Sequence, residues 1–291
     1  MPLNQISEAA MASRGRFSSA AELDAWLNRA IGENRRLLTA ALWHLDRGIS
    51  LCALMGEGYV HLADLCFLKG QGQPERLAYL NQALTVRPYD GVVLLSAGSA
   101  AALRGDVDGM IAYWRPVLRC RDQERQAMVR LLTAMPIPVE EVLSAFQPDL
   151  PAVRLLYARY ARMALPQPLQ IVATYYAEVL GRAIQQKDAE SAAPLWFEKA
   201  DVYHSLNQPA AAVDCLQHAV AGRPTDFQFR YVLAQRLNEQ QQFTEAERQL
   251  KWCAQRRPDN QDVKAALAQA ITGRVNQQTR GTATPASYNG N

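Results

Sequence analysis

The chain has almost no excess of either charge, no long apolar run and no clustered metal ligands. Each absence removes a class of function. Its 31 Lys and Arg face 28 Asp and Glu, a formal net charge of +3 over 291 residues. No basic stripe gathers them, so a nucleic-acid backbone finds no electrostatic footprint and is not expected as a partner. No stretch approaches the ~20 apolar residues that cross a bilayer, so direct membrane insertion is not expected. Residues 1–17 are polar with scattered Arg and lack the apolar core of a signal peptide. The five cysteines, at 52, 66, 120, 215 and 253, are odd in number and far apart, with no Cys-x-x-Cys and no Cys/His ligand spacing. Four of them sit at apolar-periodic positions and read as small buried hydrophobes in a reducing compartment. There is no Gly-rich phosphate loop, no Gly-x-Ser-x-Gly and no His-Glu-x-x-His. His204 with Asp201, and His61 with Asp64, stand at i and i+3 on helical segments. Such a pair could exchange a proton in a groove, but at this spacing it is more often solvated surface. No catalytic residue, cofactor or metal is expected.

What the chain has instead is a period. Ala200, Ala234 and Ala268 are each 34 residues apart, as are Ala212 and Ala246, Leu216 and Leu250, Pro224 and Pro258, and Phe197 and Tyr231. That period belongs to stacked helix pairs, none of which buries its apolar face alone. The clearest copy runs Trp196-x-x-Lys199-Ala200-x-x-Tyr203, then Ala212-x-x-x-Leu216-x-x-Ala219, then Pro224. The next runs Arg230-x-x-Leu233-Ala234-x-x-Leu237, then Phe243, Ala246, Leu250, Cys253 and Pro258. These positions resemble the tetratricopeptide repeat, whose first helix reads Trp-x-x-Leu-Gly-x-x-Tyr and whose second carries Ala, Phe and Ala before a Pro. Lys199 and Arg230 depart from that pattern at large apolar positions, where a long aliphatic stem can cover the seam while the charge reaches water.

The same grammar recurs upstream with more drift. Tyr59-x-x-Leu62-Ala63-x-x-Cys66 precedes Leu80, Ala83 and Pro88, and Leu94-x-x-Ala97-Gly98-x-x-Ala101 precedes Met110, Trp114 and Val117. Ala63 to Gly98 is one residue longer than the period while Leu80 to Trp114 keeps it, so the extra residue falls in the Gly70–Pro74 turn. The small residues let the two helices of a pair approach closely, and each Pro stops the second helix. Ser19-x-x-Glu22 is a capping-box start for a helix bearing Leu23, Trp26 and Leu27. Residues 18–122 thus read as degenerate helix pairs, and residues 123–190 as an irregular helical segment punctuated by prolines, with a longer helix from about 168 to 186. Residues 191–273 read as two clear repeats plus a capping helix, with Val263, Leu267 and Ile271 inward. Residues 1–17 and the Gly/Thr/Asn-rich tail 274–291 read as disordered. The fold expected is all-α, a right-handed α-solenoid of such helix pairs in about fourteen or fifteen helices.

The family resemblance implies a function on a surface. In tetratricopeptide repeats the first helices line an inner groove, which here places Phe197, Asp201 and His204, then Tyr231, Gln235 and Asn238, on one concave face, with Gln269 beyond. Aromatic residues among hydrogen-bonding ones suit an extended peptide or a partner helix. Aromatics at helical spacing also serve as core, so Phe197 and Tyr231 can instead pack between neighbouring helices. The Lys/Arg/Asn clamp with which some family members hold a C-terminal carboxylate is missing, and Asp201 would repel such a ligand. The implied protein is a non-catalytic protein-binding scaffold or adaptor, cytoplasmic or associated with a membrane complex. A second resemblance is shorter. Leu51-Cys52-Ala53-Leu54-Met55-Gly56-Glu57-Gly58-Tyr59 through Leu65-Cys66-Phe67-Leu68 is similar to the helical-repeat tails of some bacterial surface-polysaccharide (O-antigen) polymerase or ligase proteins. It implies an accessory module whose partner is a membrane-bound polysaccharide-assembly protein.

Overall fold

A computed structural model describes residues 3–13 and 17–282. Every regular element among them is helical. In chain order they are α1 (Leu3–Ala12), α2 (Ala20–Ile31), α3 (Asn34–Leu51), α4 (Gly56–Leu65), α5 (Gln73–Val86), α6 (Gly91–Leu103), α7 (Val107–Val117) and α8 (Asp122–Ala134). Then follow α9 (Val139–Phe146), α10 (Leu150–Met163), α11 (Pro166–Gln185), α12 (Ala189–Ser205), α13 (Pro209–Gly222), α14 (Phe227–Glu239), α15 (Phe243–Arg256) and α16 (Gln261–Thr282). None of the described helices is long and apolar enough to cross a membrane. The residues fall into two compact units that divide within α10, between Leu155 and Leu156. In each unit a helix packs chiefly on its chain neighbours, α4 on α5 and α6 on α7 in the first, α12 on α13 and α14 on α15 in the second. Connections of a few residues make the two helices of a pair antiparallel. Each unit is therefore a stack of helix hairpins, the arrangement of an α-solenoid.

One contact recurs at the 34-residue step. Ala63, Ala200 and Ala234 on first helices are all but completely buried. Gly98 shows why the position must be small, since a Cβ there would overlap the indole of Trp114 on the second helix. That indole N–H donates to the Leu95 carbonyl at 3.0 Å, so the close approach also satisfies the Trp donor. The second-helix partners Leu80 and Ala83, Trp114 and Val117, Leu216 and Ala219, and Leu250 and Cys253 are buried in turn. Ala268 has the same repeat position and is exposed. No second helix follows α16 among the described residues, so nothing closes on that position, and Ala270 is buried there instead.

A second recurring device was not anticipated from the sequence. The helices α5, α13 and α15 each end on Arg-Pro, at Arg87, Arg223 and Arg257. A proline bars the residue before it from helical backbone. The three arginines accordingly share one conformation, with φ and ψ of −142° and 68°, −132° and 78°, and −134° and 73°. Each N–H still closes the last helical hydrogen bond, to Ala83, Ala219 or Cys253. The bend turns the side chain toward the start of the first helix of the same pair. Arg87 Nε donates to the Leu54 carbonyl and Arg223 Nε to the Glu190 carbonyl, each at 3.1 Å. Arg257 lays its guanidinium 4.0 Å from the ring centre of Phe227, the first residue of α14. The end of one helix is thereby clamped to the beginning of its partner.

Several expectations change. Residues 1–17 are not uniformly disordered, because Leu3–Ala12 is α1 and buries Ile6, Ala10 and Met11 against a core that includes Leu27, Leu62 and Phe67. The tail helix does not stop at 273. It runs to Thr282, held by Arg274 Nε donating to Glu247 Oε2 at 2.6 Å and Gln277 Nε2 to the Gln241 carbonyl at 2.9 Å. The rest of the tail expectation, 283–291, and residues 1–2 and 14–16 lie outside the described residues. Ile271 is exposed rather than inward, while Val263 is fully buried. The prolines of 123–190 do not break helices. Pro138 precedes α9, Pro151 sits in the first turn of α10 and Pro166 opens α11, where a missing N–H costs nothing. Lys199 and Arg230 do not simply reach water. The Lys199 ammonium lies between Trp196 and Tyr203, about 5.4 and 5.5 Å from their ring centres. Arg230 stacks on Trp252 at 4.5 Å and donates to Gln249 Oε1 at 2.6 Å. Aromatic faces stabilise both cations. Of the five cysteines, Cys66, Cys215 and Cys253 are buried, Cys120 is partly covered and Cys52 is exposed. The capping box forms with a shift, the Ser19 hydroxyl accepting from the Glu22 N–H at 3.2 Å while the Glu22 carboxylate accepts from the Ser18 N–H at 2.7 Å.

The repeat contact sets an expected pair of outcomes. Ala234→Trp should cost roughly 1–3 kcal/mol or more, since overpacking displaces a whole helix. Ala268→Trp, at the same repeat position, should stay within about 0.5 kcal/mol of the parent. Urea unfolding followed by circular dichroism measures both, and equal losses would contradict the assignment of the contact.

Candidate partner-binding groove

The first helices α12 and α14 carry the six residues singled out from the sequence, but the structure divides them. On α12, Phe197 is half-buried and stacks on Phe229 of α14, ring centres 4.8 Å apart and planes 21° apart. It packs against the core of the second unit and acts as a spacer between helices. Asp201 and His204 are exposed on α12 and form no ion pair with each other. Partial burial pushes the Asp201 carboxyl up, Glu198 adds to this, and Arg236 and His204 pull against it. His61 and Asp64 likewise do not pair, Asp64 lying instead 4.0 Å from Arg76.

The three residues on α14 do come together. Tyr231, Gln235 and Asn238 line an open groove of about 690 Å³, whose other wall is Asp262, Ala265, Ala266 and Gln269 of α16, with Glu239 at its end. Helical spacing explains the set, since residues three and four apart share a face. Ala265 and Gln269 lie 34 residues after Tyr231 and Gln235, so the same face of the next first helix forms the far wall. Gln269 was legible for that reason. Asp262 was not, although it falls one period after Gln228 and could have been found by adding 34. Tyr231 is half-buried and stacked on Phe227 at 6.0 Å. Burial pushes its hydroxyl pKa up, and the negative charge of Asp262 adds to the shift. Asn238 is 6% exposed, which places it in the wall rather than on the rim. Its Nδ2 donates to the Ala266 carbonyl at 3.1 Å, tying α14 to α16. Its Oδ1 is buried and has no hydrogen-bond partner. Glu239 is held by Arg236 at 2.8 Å. Among the described residues no three His, Cys, Asp or Glu side chains are grouped to hold a metal ion.

The sequence matches no family model and no curated protein. Similar solved structures include the Cut9–Hcn1 complex of the APC/C, at 15% identity and a TM-score of 0.37, covering 86% of this chain and 48% of that one. The chain thus spans about half the length of that relative. TTC0263, a thermophilic TPR protein of Thermus thermophilus, matches at 18% identity and a TM-score of 0.34, covering 75% of this chain and 99% of its own. YrrB, a TPR protein with an unusual peptide-binding site, matches at 14% identity and a TM-score of 0.38, covering 76% and 96%. With overlaps this partial, the helix-pair architecture stands on the packing of this chain alone.

The outer wall of the groove depends on an ionic latch. Glu247 of α15 accepts from Lys251 at 2.7 Å and from Arg274 of α16 at 2.6 Å. The Lys251 hydrogen bond first, and Arg274 next, hold its carboxyl below the ordinary value of 4.5. A carboxyl depressed on folding stabilises fully above its unfolded pKa, and that contribution is lost as the pH falls through the folded value. Hydrogen-exchange protection over 261–282 should therefore fall as the pH drops from about 5 through the ordinary carboxyl value and below it, more than in α13. Glu247→Gln should lose much of that excess. A pH response identical in the variant and the parent would contradict the latch.

Proposed function

We propose that the chain is a non-catalytic protein-binding scaffold that holds a polypeptide segment along the first-helix face of its last repeats. The groove between α14 and α16 is the observation that carries this reading. Tyr231 offers a large, rigid, amphipathic anchor, and Gln235 and Gln269 offer amides that both donate and accept. A peptide backbone presents N–H and C=O groups in alternation, and mixed amides match that pattern better than they match a phosphate or a lipid tail. Glu239 and Asp262 in the lining disfavour an anion. The short connections behind the groove fix its two walls, so little ordering is needed on binding. The resemblance of the repeat to the tetratricopeptide pattern points to the same face. Nothing in the fold favours the polysaccharide-assembly reading over this one.

Affinity capture with quantitative mass spectrometry tests the proposal. Tyr231→Ala combined with Gln235→Ala should lower recovery of a specific partner by tenfold or more, since truncating an aromatic anchor costs about 2 kcal/mol. Helical content should be unchanged, because both side chains are only partly buried and line the groove. Recovery of the same proteins in the same amounts by parent and variant would refute it.

A further inference from the structure

We infer that the outward face of α3 docks an acidic amphipathic helix of a partner protein. This face belongs to the first unit and does not rest on the α14–α16 groove. Helix α3 carries two apolar stripes. One, with Leu38, Leu42, Leu45 and Ile49, packs against the core around Leu27 and Leu62. The other is surplus to that packing, since Leu37, Trp43 and Leu51 are 70%, 63% and 74% exposed. A surface helix ordinarily keeps one apolar stripe, and apolar side chains gathered on an outer face mark an interaction site. The His44 ring meets the Trp43 indole edge-on, centres 4.9 Å apart, so the indole is held in place. Beside it a groove of about 840 Å³ opens between the end of α2 and α3, with Asn28, Gly32, Arg36, Thr39, Ala40 and Trp43 in its walls.

Charge decides what fits there. Arg35 is engaged by Asp24, and Asp46 by Lys69 at 2.8 Å. Arg36 and Arg47 are exposed and have no ion-pair partner among the described residues. Glu33 is the one carboxylate in the groove wall, and it sits at the N-cap of α3, where the positive end of the helix favours it. Arg36 and Arg47 lie about three turns apart along one line of the helix, so two carboxylates at that spacing on a partner helix meet both. On the helical wheel these arginines fall between Trp43 on one side and Leu37 and Leu51 on the other. A bilayer that took in those apolar groups would draw the arginines into its acyl region, where they are costly. A second copy docked by the same face would bring four arginines together, and like charges across an interface cost affinity. An acidic helix pairs both guanidiniums while its apolar side covers Trp43 and the leucines. Trp and Arg are the residue types that dominate such contacts. No bond is made or broken in this event.

Fluorescence anisotropy with labelled eighteen-residue helical peptides measures the preference on the full chain. Each peptide carries Leu at i, i+4 and i+7, flanked by Glu, by Lys or by Ser. The Glu peptide should bind at least about tenfold more tightly than the other two, and more weakly as salt rises. Trp43→Ala should weaken it about tenfold or more. Arg36→Glu combined with Arg47→Glu should transfer the preference to the Lys peptide. All three positions are exposed, so circular dichroism of the variants should match the parent. Tyr231→Ala should leave the Glu peptide's affinity unchanged, which separates this face from the α14–α16 groove. Equal binding of the three peptides, a preference unmoved by the charge reversal, or no binding at concentrations on the order of 1 mM overturns the inference. Flotation with phosphatidylserine-containing vesicles that is lost in Trp43→Ala overturns it in favour of a membrane. A concentration-dependent dimer in sedimentation velocity that is lost in Trp43→Ala overturns it in favour of a second copy.

Discussion

The close contact between one small residue on a first helix and the second helix of the same pair governs this molecule. Gly98 lies directly against the Trp114 indole, and Ala63, Ala200 and Ala234 are almost completely buried at the same repeat position. A side chain there would push the helices apart and forfeit the dispersion contacts of Trp114, Leu216 or Leu250 behind it. The Arg-Pro endings complete the pair from the other side. The small residue sets the distance between helices, and the arginine holds the end of the second against the start of the first.

Closing each pair in this way decides which surface remains free. The apolar stripe of a first helix is consumed by its own second helix and by the next pair. Its remaining arc, bearing Tyr231, Gln235 and Asn238, faces the equivalent arc of the following first helix. Between α12 and α14 the rings of Phe197 and Phe229 stack and fill the space. Where the following helix carries Ala265 and Ala266, the space stays open. The groove thus owes its openness to the small Ala265 and Ala266, and its carboxylates to Glu239 and Asp262.

The repeat positions were legible in the sequence because each is fixed by packing and recurs without regard to surface chemistry. The exceptions have physical causes. Ala268 obeys the period but is exposed, because a repeat position acquires its burial from a partner helix and α16 has none behind it among the described residues. Helix α1 is poorly signalled since Ile6, Ala10 and Met11 are a thin apolar stripe among polar residues, and only the surface of α2 and α4 makes it worth burying. The Arg of Arg-Pro was hidden by its Pro, which already accounted for the helix end. The candidate site was read as six residues on two helices. Adjacency along the stack put three of them into contact with α16 and used Phe197 as a spacer, which spacing alone does not distinguish from a ligand anchor.

The most direct test of this account is amide hydrogen exchange of the chain with and without its bound peptide or captured partner. The account predicts slowed exchange in the C-terminal half of α14 and the first turns of α16, with the exposed face of α12 around Asp201 and His204 unchanged. Protection centred on α12, with α14 and α16 unaffected, would contradict it.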